Sequence, residues 1–356
     1  MAGLGTLAAL RILVTGTAGF IGFHLAKRLL ADGHQVTGVD GLTPYYDVEL
    51  KRRRHSVLET SPNFRAEILR LEDADALQRA AETAEPEIIV HLAAQAGVRH
   101  SLEAPREYVD ANLTGTFNVM EVARRHGVRH FLFASTSSVY GANPQAPFRE
   151  TDATDHPLSL YAATKKAGEA MTHAYAHVWG LPTTAFRFFT VYGPWGRPDM
   201  ALFSFAEAIL EGRPIELFNE GRMERDFTYV DDLVEAVVRL TPLAPEVGRP
   251  VNPADSLSPG APWRAVNIGG GAPVPLMEFL GILEGALSRR AQVAYAPMQA
   301  GDMASTFASA DLLEALTGFR PSTPASVGVP AFCNWLLAYR ADPDGVCARA
   351  VAALQA

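Results

Sequence analysis

Three glycines, Gly16, Gly19 and Gly22, follow a short apolar run, Arg11–Thr15, and run into a segment with helical period, Phe20–Leu30. No other feature restricts the fold as much. Glycine at a strand-to-helix junction lets the backbone turn tightly and come close to a ligand. The helix that follows then offers its N-terminal N–H groups and its dipole to an anion. The spacing is G-x-x-G-x-x-G rather than G-x-G-x-x-G. It is therefore the strand before and the helix after that favour a pyrophosphate-binding turn over an ordinary glycine-rich loop. Gly16, Ala18, Gly19, Phe20, Ile21 and Gly22 are the candidate cofactor contacts.

A second apolar run, Gln35–Val39, leads directly into Asp40. A carboxylate at that distance from the turn accepts from adenosine ribose hydroxyls and repels a 2′-phosphate, which favours NAD over NADP. Glu87–Leu92 and His130–Ala134 read as further buried strands, Val109–His126 and Tyr161–Trp179 as helices, and Pro182–Phe189 as a returning strand. Such alternation predicts an α/β fold, a Rossmann-type doubly wound parallel sheet.

After Gly193 the elements shorten and Pro and Gly become frequent. Helices are expected over Met200–Glu211 and Val230–Leu240, and amphipathic helix over Ala325–Ala356. We expect a NAD-binding domain over residues 1–192 and a smaller α/β C-terminal substrate domain over 193–356, interleaved with the first. Pro242–Pro262 has no periodicity and reads as a mobile loop.

The chemistry concentrates on Thr136, Tyr161 and Lys165. Tyr161 and Lys165 share one helical face at i,i+4 spacing. A lone Tyr titrates near ~10, and a neighbouring ammonium favours its phenolate. Joined by the Thr136 hydroxyl, the pair can take and return a proton on a substrate alcohol. Upstream, Ala93, Ala94 and Gln95 close a strand with residues that allow backbone to approach a cofactor. His91 reads as a structural strand-end residue. Asn112 serves either to bond a backbone group or to orient a cofactor contact.

Other classes are disfavoured. A net charge of −8 leaves no basic field for nucleic acid. The one basic run, Lys51–Arg54, lies between Glu49 and Glu59 and reads as a solvated helix face. No stretch approaches the roughly 18 apolar residues that span a bilayer, so no membrane association is expected. Cys333 and Cys347 read as reduced thiols of a cytoplasmic protein. His173 and His177 share a helix face without a third ligand at suitable spacing, so no metal is expected.

Four blocks together resemble the extended short-chain dehydrogenase/reductase family acting on nucleotide sugars: Gly16–Gly22, Thr136-Ser-Ser-Val-Tyr140-Gly, Tyr161-x-x-x-Lys165 and Arg225-Asp-Phe-Thr-Tyr-Val-Asp231-Asp. Within it, His91–Arg99, Asp155–Tyr161 and Arg187–Met200 resemble the UDP-glucuronate 4-epimerases. The resemblance implies tightly bound NAD that is not consumed, a UDP-sugar substrate and a homodimer. It implies Tyr161 as acid and base, Lys165 as its tuner and a ribose ligand, and Thr136 as partner of the C4 oxygen. Arg225 would pair with the diphosphate, with Arg99 and Asp302 as further substrate contacts and Leu71 beside the cofactor. Arg197 is a candidate for the diphosphate or uridine region and Phe218 for packing on uracil, against readings as surface Arg and core Phe.

Departures from relatives narrow the outcome. Where 4,6-dehydratases carry Asp-Glu and UDP-glucuronate decarboxylases carry Glu, this chain has Ser137 and Ser138, which cannot act as carboxylate bases. Their hydroxyls, with Thr190, suit a hydrogen-bonded clamp on a substrate carboxylate, or alternatively packing under the cofactor. Thr190 also replaces the Asn of galactose-type epimerases. The expected activity is epimerisation at C4 of UDP-glucuronate through a transient ketone with decarboxylation suppressed. The alternatives are a UDP-glucuronate decarboxylase, another UDP-sugar 4-epimerase, and a non-catalytic NAD-binding sensor. Two positions break the pattern: Gln299 replaces a common phosphate-binding Arg, and Arg70 replaces an Asp beside adenine.

Overall fold

In the computed structural model, residues 9–143, 146–297 and 305–355 are described. Six parallel strands come first in the chain: β1 (Arg11–Thr15), β2 (Gln35–Asp40), β3 (Phe64–Ile68), β4 (Ile88–His91), β5 (His130–Thr136) and β6 (Thr183–Phe188). Trp263–Ile268 pairs with β6 as a seventh, giving the order Trp263–Ile268, β6, β5, β4, β1, β2, β3. Two-residue alternation sends Ile12 and Val14 of β1 into one core and Leu13 into the other, so both sheet faces are covered. Strand order reverses between β1 and β4, which opens a crevice at their carboxyl ends.

Helix α1 spans Phe20–Ala31; the sequence reading omitted β3 and set no bounds for α2 (Val48–Leu58) and α3 (Ala74–Ala84), because the charged stretch 47–85 masks their period. Three expectations are revised. The helix expected over 109–126 begins as a π-helix, Val109–Gly115, before continuing as Thr116–His126. The C-terminal helix is two helices, Ala325–Ala341 and Pro343–Gln355, because Pro343 supplies no N–H to continue the first. Residues 242–262 are tied down: Arg264 pairs bidentately with buried Asp255 at 2.8 Å. His173 and His177 bond the Ser258 hydroxyl and the Gly260 carbonyl, both at 2.8 Å.

The basic run is only half solvated. Arg52 faces water, but Lys51 and Arg54 are buried. Arg54 donates to the carbonyls of Ala18 (2.8 Å), Trp195 (2.5 Å) and Gly196 (3.1 Å), and to the Tyr46 hydroxyl (2.7 Å). One guanidinium thereby ties the glycine turn to a loop nearly 180 residues later, a job its five-donor fork suits. Arg54→Met should lower unfolding free energy by about 3 kcal/mol or more, since several buried carbonyls lose their donor. A urea titration checks this, and an unchanged midpoint would remove Arg54 from the role.

Candidate active site

The carboxyl ends of β1, β2, β4 and β5 open onto one cleft of 1410 Å³. That exceeds the ~300–1,000 Å³ of a typical single-ligand pocket and leaves room for two large ligands.

At its floor the glycine turn is set by contact distances. A Cβ on Gly22 would lie 2.0 Å from the Gly16 carbonyl oxygen, and one on Gly16 would lie 2.9 Å from the Ala93 nitrogen. Gly16 also sits at φ +83°, so glycine is required there twice over. Helix α1 begins at Gly19 with no side-chain cap and no acidic residue in its first turn. Its N-terminal N–H groups and dipole are thus directed at the cleft uncompensated, which fits an anionic pyrophosphate.

Around the turn, Asp40 is held by backbone N–H groups: Ala18 donates to Oδ2 (3.0 Å) and Leu42 to Oδ1 (2.8 Å). Ala18 is consequently a support for Asp40, with its N–H already engaged, and not a lining residue. Asn112 is also second in line. Its amide accepts from the Gln95 N–H (2.8 Å) and donates to the Gln95 carbonyl and to Thr164 Oγ1, both at 3.0 Å. Of its two readings, the backbone bond is the one present. His91 is buried and bonded to Thr15 (2.7 Å) and Thr116 (2.9 Å). Burial, with the Lys165 charge nearby, pushes its pKa down to about 3 and keeps it neutral. Thr15 in turn accepts from the Ala93 N–H at 3.1 Å, so His91 indirectly fixes the strand end facing Gly16.

Leu71, Ala93, Ala94, Gln95, Thr136, Ser137, Ser138, Tyr161, Lys165 and Thr190 all line the cleft, as do Arg99, Arg197, Phe218 and Arg225. Asp302 and Gln299 lie outside the described residues. Phe218 does not present a bare ring, because the Arg99 guanidinium sits 4.6 Å from its centroid. Arg70 lines the cleft with Asp40 and is paired with Glu72 at 2.8 Å.

Ser159 caps the helix Leu160–Trp179 by accepting from the Ala162 N–H, which places Tyr161 and Lys165 in its first turns. The electrostatics differ from the simple pair expected. Tyr161 is raised above its ordinary pKa by burial, and the opposing influences are the Thr136 hydrogen bond and the Arg197 charge. Lys165 is itself buried, 4.6 Å from the Phe133 ring centroid, and burial pushes its pKa down to about 7, partly offset by the Glu169 carboxylate. A side chain that is only partly protonated near neutrality is a weak standing cation for Tyr161.

Sequence reasoning missed Glu169. It lies one turn beyond Lys165, and its oxygens take the Arg187 guanidinium twice (2.9 Å each) and the Ser135 hydroxyl (2.6 Å). The i,i+4 spacing from Lys165 was the available signal. Thr136 accepts from the Ser138 N–H (3.2 Å) and lies 3.3 Å from the Ser138 hydroxyl, so the residues after β5 form one hydroxyl cluster. In an NMR titration of ligand-free, lysine-labelled protein, one side-chain resonance, the one lost in Lys165→Arg, should titrate near pH 7. Titration of that resonance above pH 9 would contradict the burial argument.

Residues 12–252 match the family model described as the NAD dependent epimerase/dehydratase family. A probable UDP-glucuronate 4-epimerase of Rhizobium meliloti is 59% identical over 329 residues, covering 92% of this chain and 96% of that one. UDP-glucuronate 4-epimerase 4 of Arabidopsis thaliana is 40% identical, with 95% of this chain and 78% of that one covered. The UDP-glucuronic acid 4-epimerase of Bacillus cereus, crystallised with UDP-glucuronic acid and NAD, superposes with a TM-score of 0.81. It is 30% identical, with 92% of this chain and 98% of that chain covered. With the glycine turn, the Thr136–Tyr161–Lys165 set and these matches in agreement, the chain belongs to the NAD-dependent epimerase/dehydratase family.

Proposed function

We propose that this protein is an isomerase that interconverts UDP-glucuronate and UDP-galacturonate by inverting C4 through a transient 4-ketone. The observation that carries the reading is the hydroxyl cluster of Thr136, Ser137 and Ser138 beside Tyr161, with no carboxylate among them. NAD, when bound, would supply the hydride acceptor for C4 and the donor that restores it on the opposite face of the sugar. The Gly16–Gly22 turn, Asp40, Leu71 and Ala93–Gln95 would hold it, with Tyr161 and Lys165 reaching its ribose.

Tyr161 takes the C4 hydroxyl proton and gives it back. Thr136, bonded toward Tyr161, lowers the phenol pKa that burial has raised and orients the C4 oxygen. Lys165, whose pKa burial lowers to about 7, lies one turn beyond Tyr161 on the same helix. Arg225, Arg197 and Arg99 bring positive charge to the cleft for the diphosphate, and Phe218 supplies an aromatic edge near the uridine end.

The ketone stage is a β-keto acid, prone to lose CO₂. Ser137, Ser138 and Thr190 donate to its carboxylate and keep the scissile C–C bond out of line with the carbonyl π-system. A decarboxylase or dehydratase reading is less supported, because the positions after Thr136 hold hydroxyls rather than acids. We assign cofactor binding to residues 1–192 and UDP-sugar binding to 193–356, with Trp263–Ile268 returning to the first unit's sheet. Exposed Leu102 and Phe117 support a homodimer through the first unit's helices. The free thiols of Cys333 and Cys347 favour the cytoplasm.

The test is incubation of purified protein with UDP-glucuronate, followed by NMR of the sugar. UDP-galacturonate should appear without added NAD and without pentose; CO₂ release as the main outcome, or no turnover, would overturn the reading. In the Ser137→Ala/Ser138→Ala double variant, UDP-pentose should become detectable, the ratio of decarboxylation to epimerisation rates rising by about tenfold, the equivalent of losing roughly one hydrogen bond to a charged group. Slower epimerisation with no change in that ratio would show that the serines only pack under the cofactor.

A further inference from the structure

The connection from β2 to α2, residues 41–47, crosses the crevice between β1 and β4. It leaves the sheet beside β1, yet its Tyr45 touches residues that follow β4. The Tyr45 ring packs on His100 with centroids 4.9 Å apart. A Cβ on Gly97, where φ is +110°, would lie 2.6 Å from the Tyr45 hydroxyl oxygen, so the facing turn admits the phenol only as glycine.

Tyr45 also reaches the loop after Thr190–Tyr192. Its hydroxyl donates to Asp199 Oδ2 at 3.2 Å, and the Arg197 guanidinium lies 5.7 Å from its ring centroid. Asp199 and Arg197 are themselves paired at 2.5 Å. Burial lifts the Tyr45 pKa to about 12, which keeps it a neutral donor toward that carboxylate. Tyr108 connects the group to the reacting centre, its ring 6.0 Å from His100 and 6.1 Å from Tyr161.

Both ends of the segment are anchored. Lys51 donates to the Thr43 carbonyl at 2.6 Å and lies 4.2 Å from the Tyr46 ring centroid. Arg54 donates to the Tyr46 hydroxyl, and Asp47 caps α2. The buried half of the basic run thus holds a strap whose middle residue spans the cleft.

We infer that Tyr45 is a positioning residue that closes this strap over the cleft, holding the Arg197–Asp199 pair beside Tyr161 and keeping bound cofactor and ketone from bulk water. The part concerning the ketone rests on the epimerase reading; the part concerning the cofactor does not. The first measurement is therefore independent of turnover: holoenzyme is loaded with NADH, and its release is followed by fluorescence during a chase with excess NAD.

Loss of the hydroxyl contact in Tyr45→Phe should raise the release rate by about 3-fold, and loss of the ring in Tyr45→Ala by about 10-fold or more. In UDP-glucuronate turnover, Tyr45→Ala should also accumulate reduced cofactor together with free keto-sugar, because a ketone that escapes leaves its hydride behind. Unchanged NADH release in both variants overturns the inference, whatever happens to the rate. Tyr45→Phe keeps the ring, so it decides the matter if the alanine variant fails to fold. Absence of epimerisation by the unaltered protein would sink the epimerase reading alone, with NADH release still deciding the strap.

Discussion

The backbone of Gly16 lies so close to the backbone of Ala93 that no side chain fits between them, and the rest of the site follows from that approach. It brings the end of β1 against the segment leaving β4, at the point where strand order reverses. A helix with an uncapped N-terminus then faces the gap. Asp40, fastened by the N–H groups of Ala18 and Leu42, walls it on the β2 side. The gap is a consequence of topology, but the close approach across it depends on the missing side chain of Gly16.

Burial governs the chemistry on the far side of the gap. Lys165 is buried and Tyr161 half-buried at the cleft, and desolvation disfavours the charged form of each: the phenol rises and the ammonium falls. The two pKa values are thereby displaced in opposite directions from those of a simple pair in which a fixed cation tunes a tyrosine. Compensation comes from Thr136 and Arg197 for the phenol, and from Glu169 for the ammonium. Glu169 can serve because Arg187 and Ser135 satisfy its oxygens in a buried setting, where an unpaired carboxylate would be costly.

Much of this was legible in the chain. The strand–glycine–helix context announced the sheet and its nucleotide turn, and nearly all the candidate residues among those described line one cleft. What failed did so for one recurring reason: a side chain's type does not say what it will face. Lys51 and Arg54 read as solvated because charge is normally solvated, yet they are buried where a strap and two loops offer carbonyls. His173 and His177 carried no reading beyond an exposed face, and they tether a loop eighty residues away in sequence. Pro242–Pro262 read as mobile because it has no period, but order there comes from Asp255 and Arg264, an ion pair that periodicity cannot report.

By itself the sequence determined the parallel α/β sheet, the position of the glycine turn and the placement of Tyr161 and Lys165 on one helical face. These rest on local rules: alternation of strand and helix, glycine at a strained junction, and i,i+4 spacing on one helical face. Only the tertiary structure decided which cations are spent on structure and which face the cleft, how far burial moves Tyr161 and Lys165, and that Tyr45 spans the crevice. Those outcomes depend on partners brought together from distant parts of the chain, and on a local dielectric that no short window of residues contains.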